Sequence, residues 1–242
     1  MPCTLFISDL HLDAGRPLIT QLFLDFLETR ASGSDALYIL GDLFEAWIGD
    51  DDQSDMNQSV CQGLRQCAAS GTPVFIMHGN RDFLLGERFA EQSNTTLLQD
   101  PTLIDLYGTP TLLMHGDRLC TDDTEYLSFR EMVHDSQWQT GFLVKSLEQR
   151  RKIAADMRAL SKEKTSDKAE SIMDVNQEAV IQTMTKNQVP RLIHGHTHRP
   201  DVHELLIANE HAQRFVLGDW YEQGSVLECS PDGCDLQSIA VK

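Results

Sequence analysis

His194-Gly195-His196-Thr197-His198 follows the apolar pair Leu192-Ile193, so imidazoles alternate along a strand that runs out into a tight loop. Neutral imidazole is a ligand for divalent metals, and carboxylate and amide oxygens are the partners such ions take alongside it. The same arrangement recurs four more times. Thr4-Leu5-Phe6-Ile7 ends at Asp9 and His11, which emerge on one side because strand side chains alternate. Ala36 to Leu40 ends at Gly41-Asp42, Pro73 to Met77 at His78-Gly79-Asn80-Arg81-Asp82, and Thr111 to Met114 at His115-Gly116-Asp117. One histidine or one Gly-Asp after a strand is ordinary core or turn material. Five strand ends offering Asp9, His11, Asp42, Asn80, His115, His196 and His198 together point to a metal cluster. A two-metal hydrolytic site needs about four protein ligands per ion, with one carboxylate shared.

The elements that must carry these residues alternate. Pro17 opens a helical stripe of Leu18, Leu22 and Phe26 with Ile19, Phe23 and Leu27, and a second helix is predicted from about Asp55 to Ala69. Strand, helix, strand, helix, strand argues for an α/β sandwich with polar residues gathered at the strand ends. From Thr124 to Asn187 the pattern turns helical and the strand signal fades, which predicts an insertion or cap over 124–187 and a core of 1–123 and 188–242. That insertion holds Lys145, Arg150, Arg151, Lys152, Arg158, Lys162, Lys164 and Lys168 against few acids, a local basic excess that a solvated helix face would also explain. Strands resume at Arg191-Leu192-Ile193, Val202 to Leu206, Phe215 to Leu217 and Ser225 to Leu227.

Length and charge set bounds on function. A chain of 242 residues with 41% hydrophobic content can bury the core of one large domain, or a core with an inserted cap. A formal charge of -17 argues against a general nucleic-acid binder, whose affinity comes from clustered Lys and Arg. Any anionic substrate must be met by local cations or metals. Cys3, Cys61, Cys67, Cys120, Cys229 and Cys234 form no C-x-x-C pair, and Met1 to Asp9 lacks the basic and apolar segments of a leader, so six free thiols in a cytosolic protein are expected. No apolar run approaches the roughly 18 residues of a spanning helix, which leaves membrane contact peripheral at most.

The motifs D-x-H, G-D-x-x-E, G-N-R-D, M-H-G-D and G-H-T-H, in this order, resemble those of the calcineurin-like metallophosphoesterases, which implies a four-layer αββα sandwich with a helical cap. Longer blocks, Leu37 to Asp51, His78 to Leu85, His115 to Asp123, Ile172 to Gln177 and Ile193 to Pro200, resemble one subfamily, the UDP-2,3-diacylglucosamine hydrolases of lipid A biosynthesis. The similarity runs from Thr4 to about Ser225. It implies two Mn2+ ions, one held by Asp9, His11 and His198 and one by Asn80, His115 and His196, with Asp42 bridging. It also implies water attack on the uridine-side phosphorus, giving UMP and 2,3-diacylglucosamine 1-phosphate, at the cytoplasmic side of a bacterial inner membrane with peripheral contact. Asp42, Asn80, Arg81 and His115 would serve the chemistry. Asn80, Arg81, Asp123, Ser161, Thr165, Lys168 and His196 would contact the substrate, although the subfamily often shows Asn at the Thr165 position. Trp138, Phe142, Leu143, Val144 and Leu147 would form an acyl-chain groove, a membrane-facing edge or ordinary cap packing. Another phosphoesterase on the same scaffold, or a metal-stabilised interaction module without catalysis, are the competing functions.

The remaining polar features carry plainer expectations. Arg81 either binds phosphate through its planar fork or pairs with Asp82. His194 supports the site from behind, and His134, His203 and His211 are structural or exposed. Asp50-Asp51-Asp52 is a third cation site or a solvated loop. Cys120 has no assigned step where water attacks directly.

Overall fold

The computed structural model describes residues 2–166 and 174–240. In chain order the strands are β1 (Thr4–Ile7), β2 (Ala36–Leu40), β3 (Val74–Met77), β4 (Thr96–Leu98), β5 (Thr102–Leu106), β6 (Thr109–Met114), β7 (Arg191–His194), β8 (Asp201–Ile207), β9 (Glu210–Val216), β10 (Gln223–Ser230) and β11 (Gly233–Ala240). The helices are α1 (Pro17–Phe26), α2 (Asp55–Ala69), α3 (Glu87–Ser93), α4 (Thr124–His134), α5 (Ser136–Leu143), α6 (Leu147–Ser166) and α7 (Gln177–Asn187).

The near-continuous apolar runs of β1, β2 and β3 belong to strands covered on both faces. They pair in parallel, Thr4 opposite Ala36 and Leu37 opposite Val74, within a six-stranded sheet of order β11-β10-β1-β2-β3-β4. The second sheet has order β5-β6-β7-β9-β8, with β6, β7 and β9 parallel. Strand alternation sorts the side chains into layers. Leu5, Ile7, Leu37 and Ile39 pack outward against Phe23, Val60, Leu64 and Phe89 of the first three helices. Phe6, Leu40 and Met77 point the other way and meet Leu113, Ile193 and Phe215 between the sheets. Leu112, Met114 and Leu192 on the far face of the second sheet are covered by Val180 and Met184 of α7. Each fully buried side chain of this size contributes roughly 1.5–3 kcal/mol of transfer free energy. The result is a four-layer αββα sandwich.

Two details depart from expectation. α7 falls inside the predicted insertion, yet Val180 and Met184 make it the outer layer of the second sheet, so the cover is built from α4, α5 and α6. The expectation of six free thiols is corrected at Cys229 and Cys234, which are joined as a disulfide. They are direct cross-strand partners in the hairpin that Pro231-Asp232-Gly233 turns between β10 and β11, with Cα atoms 4.1 Å apart. Cys3, Cys61, Cys67 and Cys120 remain thiols.

Candidate active site

Parallel strands deliver their carboxyl ends to one edge, and here two sheets deliver theirs to the same place. β1 leads to Asp9 and His11, β2 to Asp42, β3 to Asn80, β6 to His115, and β7 to His196 and His198. Asp9, His11, Asp42, His196 and His198 have φ of 55°, 49°, 53°, 71° and 55°, left-handed values that cost an L residue roughly 1–2 kcal/mol each. Backbone pairing between loops holds them there. Asp9 N–H donates to Gly41 O at 3.1 Å and His11 N–H to Asp42 O at 2.9 Å. Asp82, fully buried, accepts the N–H groups of Gly79 and Leu43 at 2.8 Å and of Asp42 at 3.3 Å. Asp9 Oδ2 accepts from Ser8 Oγ at 2.6 Å and from the His196 N–H at 2.8 Å.

The motif glycines follow from this crowding. A Cβ on Gly79 would stand 2.1 Å from Asp42 Oδ1, and one on Gly195 would stand 2.3 Å from Asp9 Oδ2. Neither position admits a side chain without displacing a carboxylate.

The ligand-type atoms form two neighbouring groups. In the first, His11 Nε2 lies 3.2 Å from His198 Nε2, which lies 3.4 Å from Asp9 Oδ1. In the second, Asn80 Oδ1 lies 3.0 Å from both His115 Nε2 and His196 Nδ1. Asp42 stands between them, Oδ2 3.7 Å from His11 Nε2 and Oδ1 3.9 Å from His115 Nε2. Asp9, His11 and His198 converge within 4.8 Å of one another, as do Asp9, Asp42 and His115. The surroundings fix the imidazoles. His115 Nδ1–H donates to Leu40 O at 2.9 Å, and His11 Nδ1 lies 2.8 Å from Glu45 Oε2, which leaves each Nε2 lone pair facing the centre.

These donors fit divalent cations. Asp9 Oδ1 is buried with no hydrogen-bond donor, and two imidazole nitrogens face each other across 3.2 Å. Burial pushes the Asp42 carboxyl up to about 6 against the pull of His115 and His11. Burial would lower His115, but Asp42, Asp117 and Asp9 push it up to about 9. Asp9 and Asp42 thus bring two buried carboxylates among the imidazoles, a donor set that suits a divalent cation.

α4, α5 and α6 lie over this bed and bound a cavity of about 280 Å3 whose lining includes polar Asn80, Arg81 and Asp123 and aromatic Phe129, Trp138 and Phe142. Trp138 stacks on Phe142 with ring centroids 5.2 Å apart. Charged pairs fasten the cover. Arg158 of α6 pairs with Glu45, Arg151 with Asp52 at 2.7 Å, and the buried Arg150 forks onto Asp51 while also donating to Ile48 O. From α4, Tyr126 Oη and Arg130 Nε both donate to buried Asp117, at 2.5 and 2.6 Å. Burial would raise Asp117, but His115, His196, Arg130 and Tyr126 hold it well below the usual carboxylate range.

The other residues singled out by the sequence take definite places. Asp50-Asp51-Asp52 is a solvent-accessible loop whose carboxylates are engaged: Asp51 and Asp52 anchor α6, and Asp50 accepts the Gly86 and Phe89 N–H groups at 3.0 Å, where α3 begins. Arg81 does not pair with Asp82, which is spent on backbone donors; its side chain lines the cavity. Ser161 and Asp123 reach the same cavity, and Asp123 also caps α4. Thr165 belongs to α6, but its side chain and Lys168 lie outside the described residues. Phe142 and Trp138 wall the cavity while Leu143 and Val144 face outward, and Leu147 packs at the core's edge. His194 is buried behind the loop, its Nδ1–H donating to Gly195 O, and burial lowers it to about 4. His134 rests on Phe83, whereas His203 and His211 contact exposed carboxylates on β8. Burial pushes Cys120 up to about 12, so it stays a thiol.

Glu45, Asp82, Asp117, Asp219 and Tyr221 have functional positions that the sequence left unassigned. Asp219 Oδ2 lies 3.5 Å from His198 Nδ1. It had a readable signal, because Phe215-Val216-Leu217-Gly218-Asp219 is one more strand ending in Gly-Asp.

Known proteins are similar to this chain in sequence and in fold. The sequence profile of the calcineurin-like phosphoesterases matches residues 4–200. A UDP-2,3-diacylglucosamine hydrolase of Enterobacter sp. (strain 638) is 53% identical over 233 residues, covering 96% of this chain and 97% of the relative. One of the same name from Xanthomonas axonopodis pv. citri (strain 306) is 52% identical over 245 residues, covering 98% and 99%. Among solved structures, that of a novel archaeal phosphodiesterase aligns over 98% of this chain and 99% of its own with a TM-score of 0.53 at 9% identity, a likeness of fold. With the profile spanning the strand-end loops from Thr4 to Pro200 and relatives matched over almost their whole length, the chain belongs to the calcineurin-like phosphoesterase family.

Proposed function

We propose that this chain hydrolyses the pyrophosphate of UDP-2,3-diacylglucosamine, water attacking the uridine-side phosphorus to give UMP and 2,3-diacylglucosamine 1-phosphate, a step of lipid A synthesis. The observation that carries this reading is the direct opening of a buried His/Asp bed into an apolar cavity, with Asn80 and Arg81 belonging to both. An anionic phosphate with a greasy substituent suits such a junction. Relatives more than half identical over nearly their full length carry the name of this activity.

In this reading Asp9, His11 and His198 hold one ion and Asn80, His115 and His196 another, with Asp42 between them; manganese is the proposed metal. Bound divalent ions would supply Lewis acidity and a water nucleophile at neutral pH. The chain's own groups do the rest. Arg81, its Nε buried and without a protein partner, presents donors to phosphoryl oxygens. Asn80, Asp123 and Ser161 of the cavity, with His196, contact the sugar phosphate, the expected contacts of Thr165 and Lys168 lie outside the described residues, and Trp138, Phe129 and Phe142 exclude water around an acyl chain. α4, α5 and α6 form the cap. No described helix is long and apolar enough to cross a membrane. Peripheral contact, at the cytoplasmic face of a bacterial inner membrane, is proposed through outward-facing Leu143 and Val144 beside Lys145.

The test is incubation of the purified protein, stripped with a chelator and reloaded with Mn2+, with UDP-2,3-diacylglucosamine in detergent. Mass detection of UMP is expected only in the reloaded sample. Phosphate release without UMP, or no product, overturns the reading.

A further inference from the structure

The cavity under the cover approaches the bed from one flank. Asn80, Arg81, Asp123 and Tyr126 line it, and Glu45 lines it where it meets the neighbouring flank, whereas Asp9, His11 and His198 do not. The opposite flank has a different covering. Tyr221 lays its ring parallel to that of His11, centroids 5.3 Å apart at 10°, and stands 5.5 Å from the His198 ring. The Arg16 guanidinium sits 4.7 Å from the Tyr221 ring centre, donates to His11 O, and lies 3.9 Å from Glu45. Tyr221 is 44% exposed, so this wall opens to solvent. Arg16 Nη1 is shielded but has no hydrogen-bond partner, an unspent donor beside the first group of ligand atoms.

A pyrophosphate diester has two substituents that diverge from the bond being cut. With the lipid-sugar half in the cavity beside Asn80 and Arg81, the nucleoside half must leave over the His11 and His198 flank. We propose that Arg16 and Tyr221 form the subsite for the nucleoside monophosphate half of the substrate, the guanidinium facing phosphate and ribose oxygens and the phenol bounding the ribose and base. This rests on the function proposed above.

The chemistry suits such a ligand. A nucleoside monophosphate joins a dianionic head to a flat polar base, and an arginine beside an aromatic ring offers fixed donors and a flat face together. Glu45 would repel the phosphate if it stood alone, but it is already paired with the Arg158 guanidinium. Asp219, the other acid on this flank, is directed to His198.

The test reads binding rather than turnover. UMP affinity for Mn2+-loaded protein is measured by calorimetry for the native chain, Tyr221→Ala and Arg16→Ala, beside affinity for 2,3-diacylglucosamine 1-phosphate. Both variants should bind UMP about tenfold more weakly or worse, with the lipid phosphate held within about twofold. Unchanged UMP affinity, or parallel loss of both ligands, overturns the subsite. A second measurement needs no variant: tetranitromethane nitration of Tyr221 in the native protein, read by peptide mass, should be suppressed by UMP but not by inorganic phosphate. Equal nitration with and without UMP overturns the proposal. Native protein that binds UMP with Tyr221 protected, yet releases none from UDP-2,3-diacylglucosamine, retires the proposed function and keeps the subsite. Release of UMP with Tyr221 unprotected does the reverse.

Discussion

Asp42 and Arg158 both face the middle of the site, but they are held in different ways. Asp42 is 1% exposed, has a left-handed backbone, has its N–H taken by Asp82, and takes the Arg81 N–H itself. Arg158 stands on a solvent-facing helix, its side chain 41% exposed, with Glu45 as its ion-pair partner. The contrast extends to their regions. The bed is fixed by backbone hydrogen bonds, glycines without room for a methyl group and buried carboxylates, so its groups have one arrangement. Its cover is fastened by side-chain ion pairs to Asp51, Asp52, Glu45 and Asp117 around a few aromatic contacts, and such pairs can part and re-form. A hydrolase needs its reacting groups preorganised and its substrate able to enter and leave. The two styles of construction divide that work.

Four changes would break or sharpen this contrast. The largest effect is expected from Gly79→Ala, whose Cβ would stand 2.1 Å from Asp42 Oδ1. Moving that carboxylate should weaken divalent-metal binding by about 100-fold or more, and turnover with it. Metal content by mass spectrometry and initial rates check this, and retained metal with normal turnover would sink the account of the bed.

Asp82→Asn comes next. It replaces a carboxylate that takes four backbone donors with an amide whose NH2 must face some of them, at a cost of roughly 1.5–3 kcal/mol. For a chain of this length that lowers Tm by about 3–10 °C. A change under about one degree would show that the loops are held some other way.

Asp51→Ala acts on the cover alone. It leaves the Arg150 guanidinium, only 3% exposed, without its carboxylate partner and frees one end of α6. KM should rise about tenfold while kcat stays within about threefold, because binding rather than the chemical step is disturbed. Equal loss in kcat would mean that the cover organises the reacting groups too.

The smallest effect concerns His134, at the end of α4. Burial lowers its pKa from 6.5 to about 4, so in this window the unfolded chain takes up a proton that the folded chain refuses. The corresponding stability is present in full above pH 6.5 and is lost as pH falls toward 4. His134→Leu should therefore flatten the fall of Tm between pH 6.5 and 4, by about 1–2 °C for so open a group. An identical acid limb in both proteins would remove His134 from the cover's pH response.

The bed was largely legible in the sequence because its ligands follow apolar runs whose period fixes which way they point. Asp9, His11, Asp42, Asn80, His115, His196 and His198 all come from such strand ends and meet at one edge. Their left-handed backbone was not legible, since nothing about Asp9 or His11 as residue types demands a positive φ. The cover was legible only as helices. Asp51 and Arg150 are 99 residues apart, and no local pattern announces that the acid of one loop receives the base of a distant helix. The same limit hid Glu45, whose place in G-D-x-x-E was visible while its contacts with His11 and Arg158 were not. α7 looked like the neighbouring cover helices because its apolar stripe does not say which surface it will bury against; Leu112, Met114 and Leu192 decide that.

The excursion that carries the cover leaves after β6 and returns through α7 to β7, and these two strands lie side by side, Leu113 opposite Ile193. At its base the Asn176 N–H donates to Leu119 O at 2.8 Å, and the Asn176 amide reaches Asp122. A loop closed at its neck imposes little on the register of the sheet whatever its length. Natural variation can therefore lengthen, shorten or replace the segment between Asp122 and Asn176 without re-laying the strands that hold His115 and His196. One ancestral hydrolytic bed could diversify its clientele in this way, and a chimera joined at Leu119 and Asn176 is the natural unit for exchanging one substrate preference for another.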